Sequence, residues 1–275
     1  MIEVGTSPVI DDLEAVDRAS RAGERIAKRL LSGGADTVRS CPVRVEFIRK
    51  SADPTDWWSP PTMHMLRGGR GGEVRLKVYL SVLWLAVKKP HLVQEPAFSW
   101  AVLLGLPDPE GKGKRRVQDA IDWLVENQYL ARKAIPGKPP QIELLHDAGT
   151  GDKYSSPVAP KSTAAPTYRK LEPAFWTNGW MAVLSGAALV IWLAYLDERG
   201  ASSEAGWLSP SQTRERYSIS DDTRKKGLAE LKSFGLVTPL RGWHREPFAH
   251  QFPVVRYRLN PSRLDQKPYD QATAP

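Results

Sequence analysis

The chain has a single cysteine, Cys41, in 275 residues. An internal disulfide and a multi-cysteine zinc site are therefore excluded. Its five histidines, His64, His91, His146, His244 and His250, fall at no metal-type spacing. The opening stretch MIEVGTSPVIDDLEAVDR lacks a basic start followed by an apolar run. It does not read as a secretory leader, and a cytoplasmic address is the expectation. A nucleophile elbow and a pair of catalytic carboxylates are missing as well; Asp11-Asp12 and Asp221-Asp222 read as helix starts. The run 68–72 (GGRGG) lacks the Lys-Ser/Thr of a phosphate-cradling loop and reads as a flexible lead-in to a helix. Neither enzymatic activity nor a cofactor is expected.

Long apolar runs are scarce. Residues 173–196 carry no charge, and 180–196 (WMAVLSGAALVIWLAYL) approach the minimum length of a spanning helix. A run this short suits a core helix, and no membrane association is expected.

What is present is a globular composition with an uneven charge. Hydrophobic residues make up 41% and charged residues 25%, and the length suits two ordinary domains. The net charge is +8, which favours a polyanionic partner. Residues 1–65 hold nine Lys/Arg against ten Asp/Glu, 66–146 thirteen against eight, and 168–265 fourteen against ten. The excess sits in the two later stretches.

Residues 12–31 show apolar positions at helical spacing (Leu13, Val16, Ala19, Gly23, Ile26, Leu30), ended by Gly33-Gly34. Packing on the chain's own core is the preferred reading, with a homodimer seam through Leu13 to Leu30 as the alternative. Residues 43–48 alternate and suggest a strand. Residues 51–61 (SADPTDWWSPP) suggest a loop whose Trp57-Trp58 could cap an interface. Gly/Ser/Pro-rich 148–165 reads as a linker, and the polar tail after Asn260 as frayed. The division expected is an N-terminal helical segment (1–65), a first domain (66–147), a linker (148–167), a second domain (168–265) and a tail (266–275).

An internal repeat organises the rest. Residues 73–87 have helical apolar spacing; 97–106 form a second short helix, interrupted by Pro107-Asp108-Pro109; 114–127 form a third, with Val117, Ala120, Ile121 and Leu124 inward. Segments 130–135 and 141–145 flank Pro136-Gly137-Lys138-Pro139 as a β-hairpin. About 107 residues later the order recurs: 180–196, then 209–217 with Pro210 at its first position, then 221–234 closed by Gly235. Segments 236–240 and 254–259 flank 241–253 as a second hairpin. Ile121 aligns with Leu228, Leu124 with Leu231, Leu130 with Val237, and Leu83, Trp84 and Leu85 with Val190, Ile191 and Trp192. Trp84, Trp123 and Trp192, among ten tryptophans, read as packing residues.

Three helices followed by a hairpin is the winged helix-turn-helix order. The segment 208–237 (LSPSQTRERYSISDDTRKKGLAELKSFGLV) resembles the helix-turn-helix of bacterial regulators. YRKLEPAFW (168–176), followed by LSGAALVIWLAYL, resembles the lead-in of winged-helix domains in plasmid and phage replication proteins, and the tandem layout resembles plasmid replication initiators. The resemblance implies a mainly α protein with small β-hairpin wings (α+β), comprising two tandem winged helix-turn-helix domains and an N-terminal helical segment. It implies double-stranded DNA as the partner.

The residues that would meet DNA follow. At the start of the first unit's third helix stand Lys112, Lys114, Arg115, Arg116 and Gln118; Lys and Arg neutralise phosphates, Arg reads guanine and Gln reads adenine. The second unit offers Ser220, Thr223, Arg224, Lys225 and Lys226, with Arg214 and Arg216 on the preceding helix. The wings add Lys133 and Lys138, then Arg241, Trp243, His244 and Arg245. Asp221 and Asp222 would repel phosphate, which suggests that the second unit is the weaker reader. A transcriptional regulator is the first expectation. A plasmid or phage replication initiator and a winged-helix protein–protein adaptor in a chromosome or polymerase assembly are the alternatives.

Overall fold

A computed structural model describes residues 13–32, 40–51, 59–69, 71–158, 167–199, 206, 208–244 and 252–270. In chain order its elements are α1 (Leu13–Ser32), β1 (Cys41–Arg44), α2 (Val45–Ile48), α3 (Pro61–Leu66), α4 (Gly72–Leu85), β2 (Leu92–Val93), α5 (Ala97–Leu103), α6 (Lys112–Glu126), β3 (Leu130–Lys133) and β4 (Gln141–Leu144). There follow β5 (Tyr168–Leu171), α7 (Ala174–Thr177), α8 (Trp180–Val183), α9 (Gly186–Arg199), α10 (Pro210–Tyr217), α11 (Asp221–Ser233), β6 (Val237–His244), β7 (Phe252–Leu259) and a 3-10 turn at Pro261–Asp265. The protein is mixed α and β, mainly helical. The strands of the described residues form small antiparallel sheets in the orders β1-β5, β2-β4-β3 and β6-β7.

Two units repeat one path: α4, α5, α6 and the β3–β4 hairpin, then α9, α10, α11 and the β6–β7 hairpin. In the first unit β2 adds a third strand beside β4. In the second, Gly206 makes a single bridge to Tyr257, with amide-to-carbonyl distances of 3.0 and 2.9 Å. The third helices end alike. Gln128 (φ 61°) and Gly235 (φ 69°) are both left-handed. The following amides, of Tyr129 and Leu236, each donate back to Leu124 and Leu231 at 2.9 Å. This closing turn satisfies carbonyls that a helix end would leave bare. Ala120 and Gly227 share a place in the repeat. A Cβ on Gly227 would lie 2.5 Å from the Ala187 carbonyl oxygen, so α11 crosses α9 too closely for any larger residue.

The first helix of the second unit departs from the gapless repeat. The apolar run 180–196 is not one helix: α8 stops at Val183 and α9 starts at Gly186. The break is stabilised from far away in sequence. Ser185 donates its amide to Glu230 at 2.7 Å and its hydroxyl to the same carboxylate, and the Gly186 amide donates to Glu73 at 3.0 Å. Two carboxylates at a helix start satisfy bare amides and suit the helix dipole. Among the described residues, no helix is long and apolar enough to cross a membrane.

Three local expectations change. Strand β1 ends at Arg44, and 45–48 are helical rather than extended; Arg44 turns inward. It donates to Asp147 at 2.7 Å and to the Ser155 hydroxyl at 3.2 Å, and it lies 5.3 Å from the centre of the Tyr154 ring. Arg44 and Asp147 are 2% and 1% exposed, a burial that only such pairing makes tolerable. Residues 148–158, read above as part of a linker, lie against the first unit: Lys153 bridges Leu145, and Tyr154 is buried. Residues 261–270 are packed rather than frayed. Leu264 is buried, and its carbonyl accepts from Asn178 at 2.7 Å and from the Trp180 indole at 3.1 Å. Trp57-Trp58 and the Gly33-Gly34 stop lie outside the described residues.

The two units and the N-terminal segment share one continuous core. Trp84 of α4 stacks on Trp176 of α7 with centroids 4.7 Å apart, and the Trp176 indole donates to the Ser81 hydroxyl at 2.9 Å. Helix α1 buries Ser20, Gly23 and Ala27 and packs on α5, α7 and α8. A Cβ on Gly23 would meet the Leu103 carbonyl at 3.0 Å. Ile26 and Leu30 are half-buried against the same core.

Candidate nucleic-acid interface

The candidate interface comprises the starts of α6 and α11 and the two hairpins. Helix α6 begins after a tight turn in which Asp108 is left-handed (φ 49°) and accepts from the amides of Gly111 at 3.2 Å and Lys112 at 2.8 Å. Val117, Ala120, Ile121 and Leu124 then face the core, which directs the rest of the helix outward. Lys112, Lys114, Arg115 and Gln118 are exposed, whereas Arg116 is half-buried.

Burial pushes Glu73 up, but Lys77 and the Gly186 amide outweigh it and, with a smaller contribution from the Arg116 charge, hold Glu73 below the usual carboxylate range. Lys77 itself is 2% exposed and pairs with Glu73 at 3.0 Å. Of the five expected residues on α6, four are exposed and Arg116 is half-buried.

The charge along α6 runs against the helix dipole. Cations fill four of its first five positions, and Asp119, Asp122 and Glu126 follow. The dipole favours the reverse order. Helix α11 obeys it, with Asp221 and Asp222 first and Lys232 last. The basic start of α6 is therefore not explained by helix stability, apart from the offset that Asp108 provides.

The start of α11 is different. Ser220 is its N-cap and accepts the Thr223 amide at 3.2 Å, while the Ser220 and Thr223 hydroxyls lie 2.9 Å apart. Both serve the cap. Asp221 accepts from Arg224 through Nε at 2.9 Å and Nη2 at 2.7 Å, and pairs with Lys225 at 2.8 Å. These hydrogen bonds hold Asp221 below the usual carboxylate range and raise Lys225. Lys226 is exposed and its side chain enters no ion pair among the described residues. On α10, Arg214 is exposed and Arg216 pairs with Glu198 at 2.9 Å.

In the hairpins, Lys133 and Lys138 are exposed, and Arg132 ties β3 back to α6 through Asp122. Arg241 is exposed on β6. Arg245 and the side chains of Trp243 and His244 lie outside the described residues. The sequence reading passed over β7, where Arg256 pairs across from Leu240 and Arg258 across from Thr238. The alternation R-Y-R is the signal: Tyr257 turns to the Tyr195 ring, 5.9 Å away, so both arginines lie on the opposite face. Arg258 is exposed.

Among the described residues, no cluster of His, Cys, Asp or Glu could hold a metal ion. A comparison with family models, curated proteins and solved structures finds no match.

Proposed function

We propose that the protein binds double-stranded DNA through two winged helix-turn-helix units and acts as a transcriptional regulator. The observation that carries this reading is the exposed basic start of α6, with Lys112, Lys114 and Arg115 placed against the helix dipole. In a three-helix unit with a hairpin, that end of the third helix is the one offered to base edges in the major groove. A phosphate backbone supplies the counter-charge that the chain itself does not. Helix α11 adds a weaker reader, because Asp221 competes with phosphate for Arg224 and Lys225. Arg241 and Arg258 on the second hairpin supply backbone contacts.

The replication-initiator reading keeps a place for one reason. The two units share a core, so one chain presents two different third helices at a fixed separation. The adaptor reading calls for an apolar third-helix face, and the outward positions of α6 are Lys112, Lys114, Arg115, Gln118 and Asp119.

The test is to recover and sequence the genomic fragments that the protein retains. Enrichment at scattered promoters supports a regulator, and enrichment of one repeated array supports an initiator. Retention of no fragment over background contradicts both. Footprints on the retained sites should be asymmetric, about 15–20 base pairs wide and bound by one chain, since two unlike third helices read adjacent grooves.

A further inference from the structure

Where α2, α3 and the end of α6 meet there is an open cleft of about 900 Å³, within the size range of small-molecule sites. Its lining includes the cations Arg49, Lys50 and Arg67, of which Arg49 already pairs with Asp197 at 3.6 Å, and the polar edges of His64, Tyr129 and Gln128. His64 Nδ1 and the Tyr129 hydroxyl lie 3.0 Å apart, and the His64 ring meets Trp123 edge-on at 5.0 Å. Burial, with Arg75 and Arg67 nearby, lowers the His64 pKa, and burial pushes the Tyr129 phenol up to about 12. The pair is therefore uncharged at neutral pH and offers polar edges on an aromatic floor. Glu46 and Glu126 also line the cleft. A cleft lined by cations, carboxylates and amide and ring edges fits a ligand of mixed polarity. Phosphate suits Lys50 and Arg67, sugar hydroxyls suit the carboxylates, and a base suits the amide and ring edges.

The cleft is also wired to the second unit. Arg67 Nη2 donates to the Ser218 carbonyl at 3.3 Å, and the Lys50 amide donates to the Arg216 carbonyl at 2.8 Å. Ser218 is the left-handed residue (φ 56°) that ends α10 and begins the turn into α11. A ligand anion that draws on Arg67 acts on the residue that positions that turn.

We propose that this cleft binds a phosphorylated ligand of nucleotide size, with its phosphate on Lys50 and Arg67, and that its occupancy is felt at the α10–α11 turn. The first half stands on the cleft alone; the effect on DNA rests on the function proposed above.

The test uses the full chain without DNA. Calorimetric titration with AMP, GMP, ATP and GTP, and with inorganic phosphate at matched ionic strength, should give saturable one-site binding for at least one nucleotide. Arg67→Ala and Lys50→Ala should each weaken it about tenfold to a hundredfold, the loss of one charge-assisted hydrogen bond, with Arg67→Lys losing less. Should Arg67→Ala fail to fold, Lys50→Ala still decides, since its side chain makes no ion pair among the described residues. No binding of any nucleotide, or binding that both variants leave unchanged, overturns the proposal. Phosphate binding as tightly as the nucleotides overturns the ligand class. A second titration, of duplex DNA with and without the bound nucleotide, should show affinity changed by the same factor in both directions. No change there overturns the coupling. Nucleotide bound by a chain that binds no duplex at all leaves the cleft standing and removes the DNA reading instead.

Discussion

Glu73 of α4 accepts the backbone amide of Gly186 at 3.0 Å, so the first helix of one unit caps the first helix of the other. Glu230, from α11, completes the same cap through Ser185. The placement of the two third helices is fixed at this junction, where α4, α6, α9 and α11 all contribute, and not by the length of a connecting segment.

The junction predicts a pH dependence. Glu73 is held below the usual carboxylate value of 4.5. Its contribution is present above that value and is lost as the pH falls through its lower folded value. Glu230 has the opposite sign: burial raises it, so its contribution is present at low pH and declines as the pH rises through its raised value. Urea melts at pH 7 should show Glu73→Gln less stable than Glu230→Gln. The Glu73→Gln chain should also lack part of the wild-type loss of stability below pH 4.5. Equal losses at pH 7 would remove Glu73 from its capping role.

The shared core predicts one unfolding transition. Trp176 bridges α7 to α4 by ring stacking and by its indole hydrogen bond to Ser81. Trp176→Ala should cost about 3–5 kcal/mol, as for other large core truncations, and should lower a single transition rather than one of two. Two separated transitions by calorimetry, with only one moved, would show that the units fold apart.

Much of the second unit was legible from its sequence because its boundaries are local. Ser209 with Pro210 and Gln212 forms a capping box, Ser220 caps α11 and Gly235 closes it. The start of α9 was not legible. The apolar run 180–196 has no local break strong enough to announce one, and the carboxylates that fix the start come from positions 73 and 230. Arg44 likewise looks like an exposed strand residue until Asp147, 103 positions away, is beside it. The basic start of α6 could be read directly, but the half-burial of Arg116 could not, since it depends on how α6 packs on α4. The cleft was invisible for the same reason: its lining spans residues 46 to 149.

Asp221 gives a gain-of-function prediction. It engages Arg224 and Lys225 at the start of α11, while Ser220 supplies the cap independently. Asp221→Asn should therefore keep the helix, free two cations, tighten duplex binding and steepen its salt dependence. An Asp221→Asn chain that binds DNA as the wild type does would place the start of α11 away from the backbone.

The central claim is that the start of α6 meets DNA phosphates, and the salt dependence of duplex affinity tests it most directly. Lys112, Lys114 and Arg115 are exposed, whereas Arg116 is half-buried. Plotted as log affinity against log salt, the chain carrying Lys112→Ala, Lys114→Ala and Arg115→Ala should bind more weakly than wild type. Its slope should be shallower by about two to three units, roughly one per lost phosphate contact, while Arg116→Ala should leave the slope nearly unchanged. A triple variant whose affinity and slope match those of the wild type would contradict the account.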